Sequence, residues 1–407
     1  MSFQRYGIAI VGGGILGLAT AMRITQNFPQ YKVVVIEKEP EIAQHQTSHN
    51  SGVIHAGIYY VPGSQKANFC SAGAKLLRRF CDEHTIEYEM CGKVIVATCE
   101  EQVPRLEELF RRGTANGAEG LEMINSDRLK ELEPHVAGIK GIFSPNTGIV
   151  NFTKVSQAYA AEICKAGGDI STGTQVHSIV RRDGRVHLET SKGDVSARYI
   201  INCAGLYADA IARMMDVDIG VRIIPFRGEY FSIRPERAYL VKNLIYPVPD
   251  PNMPFLGVHF TRRIDGLVEA GPNAVLAFAR EGYRKTSFRL GDTVEMFRYP
   301  GFWRMSKAYW RNGLNEQYRS MRKSVFLKCL QALVPEIQMD DLAHPGTGVR
   351  AQAVDRQGRL LQDFSIAETE SAIHVLNAPS PGATSSLTIS KYIVGRARKA
   401  FERQCGF

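Results

Sequence analysis

The run GIAIVGGGILG at residues 7–17 places glycines at 12, 14 and 17 in G-x-G-x-x-G spacing, and Glu37 follows twenty residues after the last of them. These residue types at this spacing suit the holding of a diphosphate. Gly12 permits the tight turn, Gly14 lets the backbone approach a pyrophosphate over a helix N-terminus, and Gly17 allows helix and strand to pack closely. Glu37 can accept hydrogen bonds from both ribose hydroxyls, and its charge disfavours a 2′-phosphate. Glycine turns without a ligand are common, so the surrounding elements decide. Residues 6–11 form an apolar strand candidate, and apolar positions 15, 18 and 22 mark one face of a helix. A second β-branched run, 33–36, leads into Glu37. Strand, glycine turn, helix, strand and acid together indicate an ADP-containing dinucleotide. The motif does not separate NAD from FAD.

With 407 residues, 44% of them hydrophobic, the chain is long for one core and suits two interleaved domains of α/β class. No stretch approaches 18 consecutive apolar residues, so no spanning helix is expected. The start MSFQRY runs into the first strand and offers neither a secretory nor a transit signal. Eight cysteines without a C-x-x-C argue against a thiol redox pair and a Cys-rich zinc site. No metal site is predicted, and reduced thiols in a cytoplasmic protein are the simplest expectation.

The stretch HQTSHNSGVIHAGIYYVPGSQKANFC (45–70) is too polar for a core and too rich in glycine and aromatics for a linker. Together with the glycine turn it resembles FAD-dependent enzymes of the D-amino-acid oxidase superfamily. Within them it closely resembles the L-2-hydroxyglutarate dehydrogenases and oxidases. CGKVIVAT (91–98), YIINCAGLYAD (199–209), HPGTGVRAQAVDRQGRLLQDF (344–364) and NAPSPGATSSLTIS (377–390) extend the resemblance over nearly the whole chain, in the family's order. The last block also stands on its own physics. Its Gly, Ser and Thr residues precede an apolar-periodic helix, so a helix N-terminus is presented to a negative group.

The resemblance implies an α/β fold: a Rossmann-type FAD-binding domain over 1–85, 145–220 and 335–407, and a mixed or antiparallel-sheet substrate domain over 86–144 and 221–334. It implies Gly12, Gly14, Gly17, Glu37, Thr47, Ser48, Asn50 and Ser51 near the ADP and pyrophosphate, Val176 against adenine, and Ala204, Gly205, Gly382 and Thr384 around the flavin. The implied reaction is oxidation of (S)-2-hydroxyglutarate to 2-oxoglutarate, with hydride passing from C2 to flavin N5. That reaction needs a base of near-neutral pKa and cations for two carboxylates. His55 and His259 (in PFLGVHFTRR) are the base candidates among ten histidines. Arg350 (TGVRAQ) and Arg227 (PFRGEYF) are the carboxylate candidates, each with a surface ion pair as the competing reading. Tyr59, Tyr60 and Tyr230 offer hydroxyls, and Lys66 a further cation. A related flavoenzyme acting on glycerol 3-phosphate, an amino acid or another 2-hydroxy acid remains an alternative, as does a non-catalytic flavin-binding module at a membrane.

Net charge is +9, and residues 280–328 hold twelve Lys/Arg against four Asp/Glu, with ten aromatics including Trp303 and Trp310. On a helix Phe302, Trp303, Tyr309, Trp310 and Leu314 share a face, with Arg304, Lys307 and Arg311 beside it. Such a helix suits a membrane interface; a domain-packing helix is the competing reading, and no nucleic-acid module accompanies the charge. The interface reading implies peripheral association with the inner face of the cell membrane and a quinone electron acceptor rather than oxygen.

Overall fold

The computed structural model describes residues 4–251 and 256–405. Its first sheet has a parallel centre. The apolar strand Gln4–Val11 lies between Val33–Ile36 and Val195–Asn202, with register Ile8↔Val33 and Ile8↔Tyr199. Asp169–Ser171 extends one side and Ala372–Asn377 pairs in parallel beyond Val195–Asn202. Strands buried on both faces read as continuous apolar runs, and Val33–Ile36 and Ala372–Asn377 are buried throughout. The helices Ile15–Asn27, Phe152–Lys165 and Ser386–Cys405 cover one face through Leu18, Met22, Tyr159, Ile163, Ile393 and Phe401.

The glycine turn connects the first strand to the first helix. Gly12 has φ +111°, and a Cβ there would lie 2.4 Å from the carbonyl oxygen of Cys203. At Gly17 a Cβ would fall 1.9 Å from the carbonyl oxygen of Gly12, so only glycine lets the helix sit this close to its own turn.

A second, nine-stranded sheet is mixed, as expected of the substrate half. Lys93–Ala97 and Leu244–Pro247 run parallel, whereas Lys140–Ser144, His259–Arg262 and Val268–Gly271 pair antiparallel to their neighbours. The long strand Val221–Ile233 pairs antiparallel with Leu342–Asp355 along most of its length. Residues 342–355 therefore belong to this second sheet, although the sequence assigns them to the flavin half. Their alternation of small, polar and apolar residues does not reveal which sheet they join; the partner strand does. A small sheet of Val53–Ile54, Gly148–Val150 and Tyr88–Glu89 lies where the polar loop leaves the first half.

Residues 280–328 form the helices Leu290–Phe297 and Pro300–Met321, and the latter is kinked at Tyr309. Packing of one side of this helix against the second sheet splits the expected aromatic face. Phe302 is buried against Ile224, Met296 and Val354, whereas Trp303 and Trp310 are 56% and 55% exposed. Leu314, Tyr318 and Met321 are also exposed.

Candidate active site

A cavity of about 960 Å³ runs between the two sheets. One end is walled by Gly12, Gly14, Glu37 and Val176, the other by His55, His259, Tyr59 and Arg350.

At the first end the backbone forms a cradle. The helix N-terminus at Ile15 donates its N–H to Thr47 Oγ1 at 3.0 Å, which holds the polar loop against the glycine turn. Glu37 accepts from the Gly13 N–H at 2.6 Å through one oxygen and from the Glu39 N–H at 2.9 Å through the other. Each oxygen keeps a lone pair for a ribose hydroxyl. Asn50 ties the loop together, donating to the carbonyls of Gln46 and Thr47 and accepting from the Gly52 N–H. Ala204 and Gly205 line the cavity on a turn fixed by Asn202, whose amide accepts from the Ala204 N–H and donates to the Ala208 carbonyl. Thr384 closes the far side; it accepts from the His55 N–H at 3.2 Å and donates to the Val53 carbonyl at 3.1 Å. A long cavity with an anion-favouring helix end, an acid twenty residues beyond the glycine turn and no side chain on Gly14 itself fits a dinucleotide such as FAD.

Of the residues expected near the cofactor, Gly12, Gly14, Glu37, Thr47, Asn50, Ser51, Val176, Ala204, Gly205, Gly382 and Thr384 line this cavity. Gly17 acts one layer behind, in helix packing. Ser48 does not reach it, because its hydroxyl donates to the His45 carbonyl at 3.2 Å.

At the far end His55, His259, Tyr59, Tyr60, Tyr230, Lys66 and Arg350 converge. The Pro254–Phe255 start of the His259 stretch lies outside the described residues. Burial pushes His55 down to about 3 and His259 down to about 4, and the positive charges of Lys93 and, for His259, Arg350 act in the same direction. Both imidazoles are thus neutral at pH 7. His259 donates its Nδ1–H to the Gly257 carbonyl at 2.9 Å, which assigns the free lone pair to Nε2. Its ring stacks on Tyr246 with centroids 4.0 Å apart. His55 Nε2 lies 3.3 Å from Ser380 Oγ. Arg350 shares a hydrogen bond with Tyr230, and burial pushes the Lys66 ammonium down to about 8.

Arg227 is not brought to this end. It is buried and pairs with Glu229 at 3.1 Å while donating to the Arg284 carbonyl, so its charge is already compensated. On the strand Val221–Ile233 these two side chains, two residues apart, share one face, which brings the carboxylate to the guanidinium. The residues missed by the sequence are Tyr246, Ser380 and Lys93. Nothing in local spacing distinguishes them. Among the described residues one group has metal-ligand character, Glu39, His45 and Glu281, but the Lys38 ammonium already contacts both carboxylates.

A family model described as FAD dependent oxidoreductase, DAO, matches residues 7–396. Among curated relatives, a protein of Indibacter alkaliphilus named L-2-hydroxyglutarate dehydrogenase is 52% identical over 402 residues, covering 98% of this chain and all of the relative. One of the same name from Escherichia coli strain K12 is 45% identical over 98% of this chain and 94% of its own length. Among solved structures, the FAD-bound L-α-glycerophosphate oxidase of Mycoplasma pneumoniae superposes with a TM-score of 0.79 at 23% identity, covering 96% of this chain and 94% of that one. Glycine oxidase of Geobacillus kaustophilus gives 0.70 at 18% identity, over 97% and 95% of the two chains.

Proposed function

The chain belongs to the DAO family of FAD-dependent oxidoreductases, and from that premise we propose that it oxidises (S)-2-hydroxyglutarate, the L enantiomer, to 2-oxoglutarate. One juxtaposition carries the reading: two neutral imidazoles and two cations, Arg350 and Lys66, meet at one end of a cavity whose other end is a dinucleotide turn. The shared name of relatives at 45–52% identity over almost the full chain supports the substrate.

In this reading Gly12, Gly14 and the helix N-terminus hold the pyrophosphate, Glu37 the ribose and Val176 the adenine. Thr47, Asn50 and Ser51 face the linking chain, and Ala204, Gly205, Gly382 and Thr384 flank the flavin. When bound, FAD supplies the acceptor for the electron pair and hydrogen that leave C2. The substrate hydroxyl gives its proton to one of the two histidines, which burial keeps unprotonated but at about 3 and 4, below the near-neutral pKa expected of the base. Arg350 takes one carboxylate through two parallel hydrogen bonds, and Lys66 the other as a point charge. Tyr230 orients the Arg350 guanidinium.

Anaerobic mixing of the yellow holoenzyme with each enantiomer tests the proposal. The (S) acid should bleach the flavin and the (R) acid should not. Bleaching by glycerol 3-phosphate or an amino acid, with neither enantiomer active, would overturn it. His55→Ala and His259→Ala should retain the oxidised flavin spectrum, and loss of the base among them should slow bleaching by about 10²–10⁴-fold.

For the electron acceptor we propose a membrane quinone, reached from the inner face of the cell membrane. Support comes from exposed Trp303, Trp310, Leu314 and Met321 flanked by Arg304, Lys307 and Arg311. No helix among the described residues is long and apolar enough to cross a bilayer, so contact would be peripheral.

A further inference from the structure

Lys93 opens the fully buried strand Lys93–Ala97 and is itself only 1% exposed. Its ammonium lies over the Tyr59 ring at 4.6 Å and the Tyr246 ring at 5.1 Å, one layer behind the cavity wall that both tyrosines form. Among the described residues no carboxylate comes within ion-pair distance of it. A buried ammonium without an anion is costly, and an apolar side chain would fill the same space without that cost. Its other polar neighbours add none of the missing charge. Cys70 on the helix Gln65–Glu83 is pushed up to about 12 by burial and stays a thiol. His55 and His259 are neutral and would be repelled if protonated. Tyr59 supplies an independent sign of a ligand: its hydroxyl is buried in the wall and has no hydrogen-bond partner among the described residues.

We infer that Lys93 holds the buried positive charge this site reserves for a dicarboxylate. It is a positioning residue that acts through Tyr59 and Tyr246 and becomes fully charged only when the anion enters. A cation over a phenol ring draws electron density from it and makes the hydroxyl a stronger donor, and the Tyr59 O–H has no partner among the described residues to satisfy it before a ligand enters. Burial pushes Lys93 down to about 7, so near neutral pH it is divided between ammonium and amine. An entering diacid favours the ammonium, and binding takes up a proton. The inference rests on the diacid reading of the cavity.

Calorimetric titration of the holoenzyme with glutarate, a diacid with no hydroxyl to oxidise, in buffers of different ionisation enthalpy counts that proton. At pH 7.5 the wild type should take up a substantial fraction of a proton, more of it at Lys93 than at Lys66. Lys93→Met should lose most of the uptake and bind glutarate at least about tenfold more weakly. Lys66→Met should keep most of the uptake. Lys93→Arg, always charged, should bind with an affinity that falls from pH 7 to 9 only by the share Lys66 contributes, less steeply than the wild type, in which Lys93 also loses its proton. Retained uptake in Lys93→Met, or a wild-type slope in Lys93→Arg, would overturn the role of Lys93 and leave the diacid site standing. Failure of the wild type to bind glutarate at all would overturn both. The flavin spectrum of each variant reports that it is folded and loaded.

Discussion

At the scale of single residues, the interior is built by withholding charge. His55, His259 and His374 are all held neutral by burial, and His374 is pushed down to about 4. His374 accepts a hydrogen bond from Asn202 Nδ2 at 3.1 Å on Nδ1, which leaves its Nε2–H buried without a partner among the described residues. In the unfolded chain such a histidine titrates near its ordinary value of about 6.5, so between that pH and about 4 the unfolded state binds more protons. The stabilisation is complete above pH 6.5 and is lost as pH falls through the window. His374 alone accounts for up to about 3 kcal/mol of it. Melting curves from pH 7 to 4 should show Tm falling steeply, and His374→Gln should flatten that fall; an unchanged slope in the variant would refute the assignment. The glycines and Glu37 were legible in the sequence because a phosphate turn is specified by neighbours along the chain. Lys93 and Arg227 were not, because what decides each is the partner that folding brings or fails to bring. Arg227 met Glu229 and became a structural pair; Lys93 met two aromatic faces and no acid.

At the scale of elements, the helix Pro300–Met321 turns one apolar row inward and leaves another outside. Helical periodicity put Phe302 on one face with Trp303, Trp310 and Leu314, but Phe302 packs inward with Met305 and Tyr309 while the other three stay exposed. Trp303 keeps its indole N–H on the Phe297 carbonyl at 2.7 Å, which fixes an exposed ring rather than leaving it free to fold back. Replacing Trp303, Trp310 and Leu314 with serine should cost within about 0.5 kcal/mol each at Trp310 and Leu314, and about 1 kcal/mol more at Trp303, which loses its hydrogen bond to the Phe297 carbonyl. The same change should abolish co-sedimentation with vesicles rich in anionic lipid. Sedimentation equal to the wild type would remove the membrane proposal. The strand Leu342–Asp355 teaches a similar lesson: its residues suit a strand, but the choice of sheet is made by the partner Val221–Ile233.

At the scale of the whole molecule, the basic aromatic segment is anchored to the dinucleotide half by a buried ion pair. Arg280 grips Asp209 through Nη1–Oδ1 at 2.6 Å and Nη2–Oδ2 at 3.1 Å, and Asp209 has no exposed surface. Burial alone would raise the Asp209 pKa, but the charge and hydrogen bonds of Arg280 hold it low. Asp209→Ala should cost about 3 kcal/mol in urea unfolding by leaving the buried Arg280 guanidinium with only the more distant Glu295 and Asp292 carboxylates, and adding Arg280→Met should recover much of that loss. Equal stability of the single variant and the wild type would show that the pair does not secure this segment. The parallel centre of the first sheet carries a different consequence, for biosynthesis. Gln4–Val11 has both its neighbours once Val195–Asn202 has been translated, but that strand's outer partner Ala372–Asn377 comes far later, and the second sheet waits for Leu342–Asp355. A nascent polypeptide therefore leaves the ribosome with both sheets unfinished for most of its elongation. Its apolar strands must be shielded by chaperones until the last tenth of the message has been decoded.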